Sequence, residues 1–141
     1  MNAHTDSLLL RRALLGNAAF STLTGLTLLI GGGWLGPALG LPAIALRVVG
    51  LVLLPFALGL VKNARRERVD RTEAWVTVAM DLAWVAGSAL LVFGDVWPLL
   101  PAGTWTVVAV ADIVMAFALL QAIGLKRSAP EAVPVAGSDL A

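Results

Sequence analysis

Residues 75–93 read WVTVAMDLAWVAGSALLVF. At about 1.5 Å of rise per residue, a helix over this stretch crosses the roughly 30 Å hydrocarbon core of a bilayer. Only one of its residues is charged, and that residue, Asp81, falls inside the apolar run. A charge at such a depth costs at least about 2.5–3.5 kcal/mol, so it faces the interior of a helix bundle and has a partner there.

Three more runs of this kind flank it, at about 13–30, 41–61 and 105–125. They carry Asn17, Arg47 and Asp112 respectively. The predicted fold is therefore an all-α membrane protein of four transmembrane helices, with residues 1–127 as one domain. Residues 128–141 (SAPEAVPVAGSDLA) are small, proline-containing and polar at their end, which predicts a disordered cytoplasmic tail. Composition agrees with this class. Hydrophobic residues make up 59% of the 141 residues and charged residues 13%, with a mean hydropathy of +0.88. Soluble domains run at about 45–50% apolar and about 25% charged. A net charge of +1 argues against nucleic-acid binding, and the absence of cysteine removes disulfides, thiolate metal sites and cysteine nucleophiles.

The connections between the first and last pairs of helices, GGGWLGPALGLP at 31–42 and GDVWPLLPAGT at 94–104, are rich in glycine and proline and read as tight turns. Trp34, Trp97 and Trp105 lie at these turns, and Trp75 lies at the opposite end of helix three. They are the positions of an interfacial aromatic belt. Apart from Arg47, every Lys and Arg lies on the other side: Arg11 and Arg12 before helix one, Lys62 to Arg71 between helices two and three, Lys126 and Arg127 after helix four. The positive-inside rule then places both termini in the cytoplasm, as two tandem hairpins. Helix one is too long an apolar stretch for a secretory signal, despite a small-residue triplet at Ala43–Ala45, and is expected to be retained.

The halves also resemble each other. LLPFALGLVKNAR at 53–65 parallels IVMAFALLQAIGLKR at 113–127, and Asn17 and Phe20 share the spacing of Asp81 and Trp84. A duplication would relate two hairpins of one orientation by an axis along the membrane normal.

Helical phase groups the polar residues. Asn17, Ser21 and Thr24 form a stripe on helix one; Thr77, Asp81 and Ser88 form one on helix three. The other face of helix three carries Ala79, Ala83 and Gly87, a pattern that permits close helix packing. Depth suggests two layers: Asn17 with Asp81 near the cytoplasmic side, Arg47 with Asp112 in the outer half. The alternative for Arg47 is to snorkel to the outer headgroups. Pro55 in mid-helix frees the Leu51 carbonyl and predicts a kink.

No catalytic constellation is present. His4 is the single histidine, Asp81 and Asp112 lie in opposite halves, and Gly31 to Gly33 read as a turn rather than a phosphate loop. The chain reads as a non-enzyme with no cofactor and no metal site. The linker at 62–73, KNARRERVDRTE, is basic with interleaved acids, and its charge also suits anionic headgroups.

The segments LRRALLGNAAFSTLTGL (10–26), ALRVVGLVLLPFALGL (45–60) and VAMDLAWVAGSALL (78–91) resemble small four-helix bacterial inner-membrane proteins of the DoxX-like group, over roughly residues 8–125. The resemblance lies in hydropathy and scattered polar positions. It implies an accessory membrane subunit, in some relatives tied to redox or quinone-linked complexes. Small multidrug-resistance transporters share the length and helix count, but they use a glutamate in helix one where this chain has Asn17. Two functions follow as expectations. One is an accessory or scaffold protein that joins a larger membrane complex or binds a lipid- or quinone-type ligand. The other is a small homodimeric proton-coupled transporter using Asp81 or Asp112.

Overall fold

A computed structural model describes the backbone of residues 3–128 and the side chains of residues 7–128. Four helices follow one another: α1 (Ala3–Leu39), α2 (Ala43–Ala64), α3 (Arg71–Phe93) and α4 (Pro101–Arg127). All four are long and apolar enough to cross a membrane, and no strand occurs among the described residues. Large apolar side chains such as Ile30, Leu58, Leu90 and Leu119 point away from the bundle, as they do where the surrounding medium is lipid. The proposed tail at 128–141 lies outside the described residues beyond Ser128.

The first connection departs from the sequence reading. Gly31, Gly32 and Gly33 are helical, and α1 runs on through Trp34 and Pro37 to Leu39. The stop is Gly40, in the left-handed conformation at φ +73°, with the Leu41 N–H bonded to the Gly36 carbonyl at 2.9 Å. That is a Schellman ending, followed at once by Pro42, which cannot continue a helix. The glycines upstream make contact surface instead. A Cβ on Gly36 would lie 2.8 Å from the Leu41 carbonyl oxygen, and one on Gly32 would lie 2.9 Å from Cγ of Arg47.

Asp70 caps the start of α3, while its own N–H goes to Asn63 rather than to Glu73. The Asp70 carboxylate accepts from the Glu73 N–H at 3.0 Å, and Arg66 bridges Asp70 and Glu73 from outside. Asn63 steadies the turn, accepting from the Asp70 N–H at 2.8 Å and donating to the Asp70 carbonyl at 3.1 Å. Proline at the first position of α4 lacks only an N–H that had no helical partner anyway.

Glycines set the packing of α1 on its neighbours. At its crossing with α2, a Cβ on Gly50 would sit 2.6 Å from the Gly25 carbonyl oxygen. On the α4 side, Gly124 lies against the backbone of Leu10, and a Cβ on Gly103 would collide with the Leu39 carbonyl. The α3 helix packs on α4 but meets α2 over little more than its basic end. The tight core is also at that end: Leu10, Leu14, Leu60, Ala64, Ala74, Val78 and Leu125 close on one another there.

Two arginines tie the basic end together. Arg11 donates to the carbonyls of Ala64, Arg66 and Glu67 at 2.5–2.7 Å, past the last turn of α2. Arg71 donates to the Leu125 carbonyl at 2.8 Å in the last turn of α4. A cation at a helix C-terminus satisfies orphan carbonyls and complements the helix dipole. Each half thus closes the second of its helices with an arginine from the first. Removing either side chain, as Arg11→Ala or Arg71→Ala, is expected to cost about 1–3 kcal/mol. Unfolding titrations in mixed micelles would measure this, and Arg12→Ala provides a reference.

The face of Ala79, Ala83 and Gly87 is left uncovered by the described residues. All three are exposed, and a Cβ on Gly87 would meet nothing within 4 Å. The polar face of α3 is the one turned inward, because lipid offers a carboxylate nothing to bond.

Candidate functional site in the membrane layer

The site is centred on Asp81, which lies ten residues after the start of α3 and twelve before its end. It is buried, as are Asn17, Ser21, Thr77 and Gln121. Asn17 Nδ2 on α1 donates to Asp81 Oδ2 at 2.8 Å, and Gln121 Nε2 on α4 donates to the same oxygen at 3.2 Å. Ser21 Oγ, one turn further along α1, donates to Asn17 Oδ1 at 3.2 Å. One carboxylate oxygen therefore ties three helices together. The other, Oδ1, has no hydrogen-bond partner among the described residues.

Asp81 stands in the wall of an apolar cavity of about 210 Å³ between the four helices. Asn17, Phe20, Ser21 and Thr24 line it from α1, and Met80, Asp81 and Trp84 from α3. The α2 side is entirely apolar: Val48, Val49, Val52, Leu53 and Phe56. Val110 and Val114 of α4 complete it. Trp84 is one turn from Asp81 on the same side of α3, and its indole N–H is buried without an acceptor among the described residues. Gln121 Oε1 is likewise buried without a donor.

The cavity adjoins a groove between α2 and α3 of about 430 Å³, and the two share Val52, Phe56 and Met80. Val52 and Met80 are about half exposed to the surroundings, so the slot between α2 and α3 faces lipid. Pro55 and Gly59 lie along it, and Gly59 has open space where a Cβ would be. The groove ends at the basic side, beside Asn63, Thr72 and Glu73.

The structure joins Asn17 and Asp81, but it does not join Arg47 and Asp112. Both are exposed, and neither forms an ion pair among the described residues. The reason is axial. Arg47 is four residues into α2 and Asp112 eleven into α4, both counted from the same end of the bundle. The offset is about 10 Å at 1.5 Å per residue, and helical side chains tilt toward the N-terminus, which takes Arg47 further away. Its stem lies over Gly32 and its guanidinium over Gly33. Arg47 thus takes the direction of the snorkelling alternative.

Of the supporting stripe, Ser21 joins the network and Thr24 lines the cavity. Thr77 is buried and bonds back to the Glu73 carbonyl at 3.0 Å. Ser88 lies beyond the cavity and makes no hydrogen bond among the described residues. Gln121 and Trp84 are the members that the sequence reading did not place in the site. Gln121 had a usable signal: it sits five residues inside Lys126, the same depth at which Asn17 sits inside Arg12.

No family model, curated protein or solved structure matches the chain.

Proposed function

We propose that the chain is a non-enzymatic, multi-pass protein of a bacterial inner membrane that holds a lipid-soluble, hydroxyl-bearing molecule between its helices. It would consist of two tandem hairpins with both termini cytoplasmic, the orientation favoured by its nine cations at one end. The observation that carries the reading is the unpartnered Asp81 Oδ1 in the wall of a cavity that opens sideways to lipid.

The chemistry of the walls selects the ligand. An ionised carboxylate only accepts hydrogen bonds, and an indole N–H only donates. A hydroxyl does both, so a hydroxyl-bearing ligand complements both kinds of group in this wall. A cavity of about 150 Å³ is known to admit a benzene-sized ring, so a cavity of the present size takes a substituted ring or a short branched head. The slot between α2 and α3 then leads the apolar remainder out to the bilayer. A phenol, quinol or long-chain alcohol has this form, in keeping with the accessory, quinone-linked role that the DoxX-like resemblance implies.

Purified protein should be stabilised against heat by an alkyl-chain quinol and by a long-chain alcohol. The matching alkane should have no effect, and Trp84→Phe and Asp81→Asn should weaken the response to the two hydroxyl compounds. Equal responses to alcohol and alkane would exclude the reading. A homodimeric proton-coupled carrier using Asp81 is a second reading, favoured by the enclosed carboxylate. It requires proton-coupled uptake that Asp81→Asn abolishes.

A further inference from the structure

Among the described residues, Asp112 is the one carboxylate that the bundle leaves on its outer surface at membrane depth. It lies eleven residues after the start of α4 and fifteen before its end. Trp105, exposed on the same helix, marks the headgroup level, and Asp112 is seven residues further in, about 10 Å deeper. An aspartate side chain is too short to return that distance. A bare carboxylate facing hydrocarbon is costly, and such groups pair with another polar group or face a water-filled space. No described residue of this chain supplies the partner.

The surroundings of Asp112 suit a helix rather than a small molecule. Ala109 and Ala116, one turn to either side, are exposed on the same face, so a second backbone can approach closely. The charge inventory then decides whose helix it is. Nine of the ten Lys and Arg are at the basic end, and the tenth, Arg47, leans toward the opposite end over Gly33. Residues 129–141 contain no Lys or Arg. A second copy of this chain therefore has no cation to place against Asp112.

We propose that Asp112, with Ala109 and Ala116, forms the docking face for a transmembrane helix of a different protein, one that carries a lysine or arginine at the same depth. This face is separate from the cavity and does not depend on what occupies it. The partner's cation neutralises Asp112, and the flanking alanines set the closeness of the approach.

The test uses the full chain in lipid vesicles with two synthetic transmembrane peptides: polyleucine with one central lysine, and polyleucine alone. Association is read by energy transfer between labelled protein and peptide. The lysine peptide should bind about tenfold more tightly than the plain one, the scale of a polar contact between membrane helices. Asp112→Leu should erase the preference. Ala116→Leu, which keeps the carboxylate but blocks the approach, should reduce it. Because residue 112 is exposed, Asp112→Leu should melt no lower than the parent, which separates lost docking from lost folding. Equal binding of the two peptides, or a preference that survives Asp112→Leu, would overturn the proposal. So would a dimer of the protein alone that Asp112→Leu converts to monomer, since a second copy would then cover the face.

Discussion

Replacing Gly50 with leucine is expected to separate α1 from α2 and to cost at least about 3 kcal/mol, the upper range for forcing volume into a packed contact. The first added atom already meets backbone, 2.6 Å from the Gly25 carbonyl oxygen and 2.7 Å from the Leu29 nitrogen. No side-chain rotation relieves such a contact, so the two helices must move apart along their length. Gly50→Ala should therefore do most of the damage. Gly59→Leu and Gly87→Leu provide the contrast, because a Cβ at either position meets nothing within 4 Å. These should change stability by less than about 1 kcal/mol, the scale of helix propensity alone. Unfolding titrations of the four variants in mixed micelles check the difference. Similar losses at positions 50 and 59 would mean that α1 and α2 do not cross at Gly25 and Gly50.

The second large effect is expected in the polar layer. Asn17→Leu removes one of two donors to Asp81 Oδ2 and the acceptor for Ser21. Leaving these groups short of partners should cost about 1–3 kcal/mol. Combining it with Asp81→Leu should cost less than the sum of the single changes by about 1–2 kcal/mol, because the double variant strands no half-pair. The matching cycle of Arg47→Ala and Asp112→Asn should be additive within about 0.5 kcal/mol, since the two side chains are far apart along the bundle axis. A large coupling in the second cycle, with none in the first, would invert the assignment of partners made here.

The four membrane helices were legible because hydropathy over about 20 residues is a strong signal, and because cations mark one end of each. The start of α3 was missed by four residues, because Asp70 and Glu73, which carry the N-cap signal, were read as part of the basic linker. Gly31 to Gly33 misled because glycine is a punctuation mark in water, whereas inside a membrane it is also a packing surface. Leu39-Gly40-Leu41-Pro42 held the true stop.

Helical phase brought Asn17 and Asp81 together because both sit on stripes that have only one apolar-free direction to face. The pairing of Arg47 with Asp112 rested on depth instead, and it failed because the depth was counted from a misplaced start of α4. With α2 starting at Ala43 and α4 at Pro101, four residues before the expected 105, the supposed outer layer came apart by about two turns. The cavity itself was invisible in sequence. It exists because α2 and α3 diverge above the core at their basic ends, and nothing in either helix alone encodes that divergence.

The central claim is that the Asp81 cavity holds a lipid-soluble, hydroxyl-bearing molecule, and native mass spectrometry tests it most directly. The protein would be extracted with its own lipids and compared with Val52→Trp, which fills the slot while leaving the side chains of Asn17, Asp81 and Gln121 in place. The parent protein is expected to carry one retained hydroxyl-bearing molecule per chain, and Val52→Trp to carry none. A parent that travels bare, or a Val52→Trp variant that keeps the same mass, would contradict the account.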